Sequence, residues 1–307
     1  MKVFLTGGTG FIGSHLVLEL LASGDEVTIL ARNPSKVPQF LEMPGVSVLH
    51  GELDDTDLIR AGLAGHDACI HNALHWEEAS TELQLKDTRA SVLIFEAAAD
   101  VGVEHMIYTS STAVCRPFRP RMTTETRLAP TDFYGATKAA SELFLSAFSH
   151  QTRMRCNVIR PGPTLGGPAF GGGPTTSDRR VTEYVRHALE GSEIRVPEHD
   201  GRQFIGAEDL AKLFVAVLHS GVNREVLFGV AQNFTTWEQV ALAVTELSGS
   251  TSRLIVEDIG ADPVPSLFDV DPLDAFFGFR FDSTLALRAH INHQISQETS
   301  RMQSSGD

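Results

Sequence analysis

The sequence predicts an α/β fold: a doubly wound parallel sheet followed by a smaller α+β region. Two observations carry that expectation. Short β-branched runs alternate with longer helical patterns over the first half of the chain, and a glycine-rich turn joins the first strand to the first helix. The 307 residues hold 25 Lys+Arg against 39 Asp+Glu, a net charge of -14, with 42% hydrophobic and 21% charged residues. Such a chain buries a core without disulfide or metal staples, and its composition excludes a disordered or collagen-like protein. An acidic surface repels phosphate backbones and anionic lipid, so neither nucleic acid nor a membrane is an expected partner. Cys69, Cys115 and Cys156 show no disulfide or metal-binding spacing. With no signal-like or bilayer-length apolar run, a cytoplasmic location is expected.

In chain order the strand candidates are Lys2–Thr6, Glu26–Ala31, Val46–Leu49, Asp67–Asn72, His105–Ser110 and Arg155–Arg160. Between the first two, Ile12, Leu16 and Leu20 recur with Val17 and Leu21 at helical spacing. Further helical patterns run over 82–101 and 133–148. The stretch from Pro161 to Pro174 is too rich in glycine and proline for a helix or a central strand, which predicts a long loop of the kind that usually carries function. Beyond it lie helical patterns at 180–189, 207–218 and 237–247, with short strands at 194–196 and 226–230. The expected division is a first domain over 1–160, a second region over 161–292 whose elements can interleave with the first, and a polar tail over 293–307.

Thr6–Gly13 closes the first strand and opens the first helix. Gly8, Gly10 and Gly13 satisfy G-x-G-x-x-G, and Gly7, Gly10 and Gly13 satisfy G-x-x-G-x-x-G. A pyrophosphate needs glycines there for the turn, for close backbone approach and for helix-on-strand packing, with helix N–H groups facing the anion. The first domain therefore reads as a dinucleotide-binding Rossmann domain, with the smaller α+β region as a substrate domain. After the second strand, where an acid usually accepts from the ribose 2'-hydroxyl, no acid occurs; Asp25 and Glu26 stand at the wrong end of the strand. Arg32 offers a planar fork to a 2'-phosphate instead, so NADP is expected over NAD.

Tyr134 and Lys138 lie one helical turn apart. A phenol is a poor base at neutral pH, but an ammonium and a cationic nicotinamide nearby favour phenolate, which can move a proton on or off an alcohol oxygen. Thr109–Val114 falls where the fifth strand ends, the edge at which ligands bind in such sheets. A hydroxyl there can hold the reacting oxygen, although a single Ser or Thr more often caps a turn.

Together with Arg202–Ala211, these segments resemble the extended short-chain dehydrogenase/reductases, the NAD(P)-dependent epimerase/dehydratase family, over nearly the whole chain. The resemblance implies Ser111, Tyr134 and Lys138 as catalytic residues, with Lys138 also holding the nicotinamide ribose. It implies coenzyme contacts from Gly7, Gly10, Phe11, Ile12 and Gly13, from Glu52 and Leu53 beside the adenine, from Ala73 and Leu74, and from Pro161 and Gly162 near the carboxamide. It also implies a homodimer built through a four-helix contact.

Two departures narrow the reading. Thr112-Ala113 supplies no acid after Ser111, which disfavours dehydration, and the missing acid after the second strand disfavours tightly held NAD. The expected activity is hydride transfer at a secondary alcohol or ketone carbon of a nucleotide-sugar-like small molecule, as in an epimerase. The alternatives are an NADPH-dependent ketone or aldehyde reductase and a non-catalytic NADP-sensing module; family members of the last type generally lack the Tyr or Lys kept here. His75 and Trp76 are candidate substrate-pocket residues, and Arg202 a candidate contact for a substrate phosphate or carboxylate. The i, i+4 pair His71 and His75 reads as pocket or turn, since no third metal ligand is near in sequence.

Overall fold

A computed structural model describes residues 1–74, 81–176 and 178–304. Seven parallel strands form the central sheet: β1 (Lys2–Thr6), β2 (Glu26–Ala31), β3 (Val46–His50), β4 (Ala68–His71), β5 (His105–Thr109), β6 (Arg155–Pro161) and β7 (Val226–Gly229). Their order is β7-β6-β5-β4-β1-β2-β3, so the winding reverses between β1 and β4. At such a switch point the chain leaves neighbouring strands in opposite directions and opens a crevice at their carboxyl ends. The central strands read as apolar runs because both faces are covered. Val3, Phe4 and Leu5 of β1 are fully buried, and each side chain stabilises the fold by roughly 1.5–3 kcal/mol.

The ten helices among the described residues are α1 (Phe11–Ala22), α2 (Pro38–Leu41), α3 (Thr56–Leu63), α4 (Thr81–Asp100), α5 (Phe133–Gln151), α6 (Arg179–Glu190), α7 (Ala207–His219), α8 (Trp237–Ser248), α9 (Asp271–Phe277) and α10 (Thr284–Ser304). One sheet face packs Leu16, Val17 and Leu20 of α1 with Leu210, Phe214 and Leu218 of α7. The other packs Ile59 of α3, Ile94 and Phe95 of α4 and Leu145 of α5. A separate core joins Val181 and Val185 of α6, Trp237 and Val240 of α8, and Leu287 and Ile291 of α10.

Two elements from beyond residue 161 pack with those of the first half of the chain. Val226–Gly229 pairs in parallel with β6 and completes the main sheet. Helix α7 likewise returns to pack on α1. The polar tail is helical through Ser304 as the continuation of α10, with Gln294 buried and Ile295 packed on the small-lobe core. Its few apolar residues anchor it, a pattern diluted by the many polar residues around them.

The loop after β6 is held at two adjacent peptides. The carbonyl of Gly166 lies 3.2 Å from His290 Nδ1 on α10, and that of Gly167 lies 3.1 Å from His15 Nε2 on α1. Phe170 stacks edge-on against Phe40 with ring centroids 5.2 Å apart. Thr164–Leu165, within the stretch read as loop, pairs in parallel with Ile205–Gly206. Burial holds both histidines below the ordinary imidazole range.

Candidate active site

A cleft of about 920 Å³ opens at the carboxyl ends of the strands, with the glycine turn at one part of its lining and the N-terminal turns of α5 at another. Gly7 takes φ +74°, and a Cβ there would lie 2.7 Å from the Ala73 nitrogen. A Cβ on Gly13 would lie 2.0 Å from the Gly7 carbonyl oxygen. The first needs left-handed backbone; the second needs an absent side chain so that helix and turn can touch. Gly10 caps α1 in an extended conformation and brings no side-chain acceptor to the helix N–H groups. That is the cradle a pyrophosphate fits: backbone close, no Cβ in the way, and a positive helix end.

Gly7, Gly10, Phe11, Ile12, Arg32, Glu52, Leu53, Ala73, Leu74, Pro161 and Gly162 all line this cleft, as do Ser111, Tyr134 and Lys138. Gly13 does not line it; its part is the close packing of α1 beneath the turn. Arg32 follows β2 and lines the cleft beside Asn33, and no ion pair among the described residues involves it. Asp25 sits at the opposite, amino end of the sheet, where it pairs with His219 at 2.8 Å. Asp55 caps α3 by accepting from the Leu58 N–H at 3.1 Å, and Asp57 stands in the first turn of that helix.

Below the turn lies a buried polar chain. Thr6 Oγ1 accepts from the Ala73 N–H at 3.1 Å and lies 2.7 Å from His71 Nδ1, while His71 Nε2 lies 3.0 Å from Ser91 Oγ. If the threonine hydroxyl donates to Nδ1, the imidazole proton sits on Nε2 and goes to Ser91. Burial first, and the Lys138 charge second, push the His71 value down to about 3, so the ring is neutral. His71 is thus a structural link under the coenzyme cradle. No cluster of three or more His, Cys, Asp or Glu able to hold a metal occurs among the described residues.

Tyr134 and Lys138 stand on the first turns of α5, which Asp132 caps by accepting from the Gly135 N–H at 2.7 Å. Lys138 is 3% exposed; its Nζ donates to the Thr109 carbonyl at 3.1 Å and lies 5.0 Å from the centroid of the Tyr108 ring. An ammonium has three protons, so one contact to Thr109 fixes the group without exhausting it. Ser111 caps a short 3-10 turn, its Oγ accepting from the Ala113 N–H at 3.1 Å. The capping reading and the cleft-lining reading thus hold for the same hydroxyl.

The structure does not bring Arg202 into this cleft. It pairs with Asp200 at 2.6 Å and lines a separate cavity of about 220 Å³ with Phe118, Gln203 and Phe234. Its position within a recognisable segment carried no information about which cavity it faces. His75 and Trp76 lie outside the described residues. Sequence reasoning passed over Arg116, which lines the cleft and pairs with Asp132 at 2.5 Å. It also passed over Glu142, whose signal was available: it stands four residues after Lys138, extending the Tyr134–Lys138 stripe.

Fold and cleft together define a dinucleotide-binding enzyme of the doubly wound α/β class. Residues 3–228 match the NAD dependent epimerase/dehydratase family, and the chain belongs to it. It is 29% identical over 197 residues to the 3 beta-hydroxysteroid dehydrogenase/Delta 5-->4-isomerase of Mycobacterium tuberculosis, covering 60% of this chain and 51% of that protein. It is 30% identical over 150 residues to a 4-hydroxy-2-methyl-3-oxo-4-farnesyl-3,4-dihydroquinoline-1-oxide ketoreductase of Stigmatella aurantiaca, covering 46% of this chain and 44% of that protein. The chain thus spans about half the length of these curated relatives. Its fold is similar to that of the UDP-glucuronic acid 4-epimerase from Bacillus cereus, solved with UDP-glucuronic acid and NAD, with a TM-score of 0.81, 16% identity, and coverage of 97% of this chain and 100% of that one. No helix among the described residues is long and apolar enough to cross a membrane.

Proposed function

We propose that this chain moves a hydride between a nicotinamide coenzyme and a secondary alcohol or ketone carbon of a nucleotide-sugar-like small molecule, with Ser111, Tyr134 and Lys138 as the catalytic group. The observation that carries the reading is that these three side chains line the same cleft as the glycine turn. Bound coenzyme supplies or accepts the hydride. Gly7, Gly10, Phe11 and Ile12 hold its pyrophosphate, Glu52 and Leu53 its adenine side, and Lys138 its nicotinamide ribose. Tyr134 takes the hydroxyl proton of the alcohol, or returns it to the ketone oxygen. Ser111 donates a hydrogen bond to that oxygen as its charge develops. Lys138, fixed by Thr109, brings its positive charge to the cleft that Tyr134 also lines.

Arg32 and the absence of an acid after β2 support NADP as the coenzyme. The same feature favours the second reading, an NADPH-dependent reductase of ketones or aldehydes, which uses the same proton transfer in one direction only. The two separate cleanly. Net NADPH consumption with a ketone panel supports the reductase, whereas product formed without net coenzyme consumption supports the epimerase. Tyr134→Phe should lower turnover by several powers of ten with coenzyme affinity nearly unchanged; a variant with wild-type turnover overturns both. Exposed Leu85 on α4 and Leu143 and Phe144 on α5 support a homodimer through these helices. Three buried, unbridged cysteines fit a reducing, cytoplasmic setting.

A further inference from the structure

Tyr134, Lys138 and Glu142 follow one another at four-residue steps along α5, and the third of them is buried away from the cleft. Glu142 meets Arg160 of β6 in a two-point pair: Nε to Oε1 at 3.0 Å and Nη2 to Oε2 at 2.7 Å. The two side chains are 6% and 3% exposed. Oε1 also accepts from the hydroxyl of Ser110, the residue before Ser111. Arg160 packs over the Phe228 ring at 5.7 Å, lies 3.6 Å from Cys115 Sγ, and immediately precedes Pro161 and Gly162. One carboxylate therefore ties together the three backbone segments that carry Ser111, the Tyr134–Lys138 turn and the Pro161–Gly162 turn.

A buried ion pair is a weak source of stability, because desolvating both charges offsets most of their attraction. A fixed two-point geometry has a clearer use in registering the elements that it joins. We infer that Glu142 and Arg160 are positioning residues, whose fork sets the distance between Ser111 and Tyr134 for proton transfer in the activity proposed above, on which this inference rests. A displacement of about 1 Å between reacting groups can cost a hundredfold in rate.

Arg160→Lys separates registration from charge balance, since lysine keeps the buried charge but has no fork. With substrate found, registration predicts that kcat falls roughly tenfold to a hundredfold while KM and coenzyme Kd stay within about threefold and the melting temperature is nearly kept. Ser110→Ala, which leaves no charge unpaired, is the second variant; its kcat should fall several-fold with folding intact. A readout free of turnover accompanies both: hydrogen–deuterium exchange of the peptide spanning Thr109–Cys115 should quicken in each variant. Unchanged kcat and unchanged exchange in folded Arg160→Lys and Ser110→Ala overturn the inference. If wild-type protein turns over nothing, the proposed function fails, and the exchange experiment alone then decides whether the pair anchors the Ser111 segment.

Discussion

Acid should weaken this protein well before its carboxylates titrate, and His71 shows why. In an unfolded chain its imidazole titrates near 6.5; in the fold, burial and then the Lys138 charge push that down to about 3. Between those values the unfolded chain binds a proton that the native chain refuses. Stability is therefore fully present above pH 6.5 and is lost as pH falls toward 3. From 6.5 to 5 the loss is 1.5 pH units at 1.36 kcal/mol each, about 2 kcal/mol for His71. His105, pushed down to about 4 by burial and then by Arg155, adds about the same. The sum, about 4 kcal/mol, is a large share of a typical domain's 5–15 kcal/mol. His15, His66 and His290, also lowered by burial, act in the same direction. Urea unfolding at steps between pH 7.5 and 5 measures it, and His71→Gln should remove about half of the slope assigned to the two strongest histidines. An unfolding free energy that stays flat over that range, or a His71→Gln slope equal to wild type, refutes the reasoning.

Other outcomes follow from the cleft and the surface. Gly13→Ala drives a methyl against the Gly7 carbonyl, where a Cβ would sit 2.0 Å away; it should cost about 1–3 kcal/mol in urea and weaken coenzyme binding measured by fluorescence titration. Arg32→Ser should weaken NADP(H) binding by roughly tenfold to a hundredfold, the worth of a charge-assisted contact, while NAD(H) affinity changes little; equal losses for both coenzymes would remove the 2'-phosphate assignment. Replacing Leu143 and Phe144 by lysine should lower the mass measured by sedimentation from dimer to monomer without loss of the fold.

How much could be read from the chain alone depended on the range of the signal. Strands β1 and β2 and helix α1 were legible nearly to the residue, because alternation, helical spacing and the glycine turn are local. Val226–Gly229 reads as a strand with equal ease, yet nothing local says that it rejoins β6 across sixty-odd intervening residues. The same limit hid the partner of Arg160 and the cavity that Arg202 faces. Of the residues tied to motif spacing, Gly7, Gly10, Phe11 and Ile12 line the same cleft as Tyr134 and Lys138. Arg116 did not announce itself, since its place depends on how the turn after β5 folds back toward α5.

The strap after β6 has a mechanical consequence. Its neighbouring Gly166 and Gly167 carbonyls are tethered to helices from opposite ends of the chain, while its first residues, Gly162, Pro163 and Thr164, line the cleft. The last helix and the first are therefore linked through two adjacent peptide units. Trimming or loosening that final helix should be felt at the Pro163–Thr164 edge of the cleft, more than a hundred residues upstream.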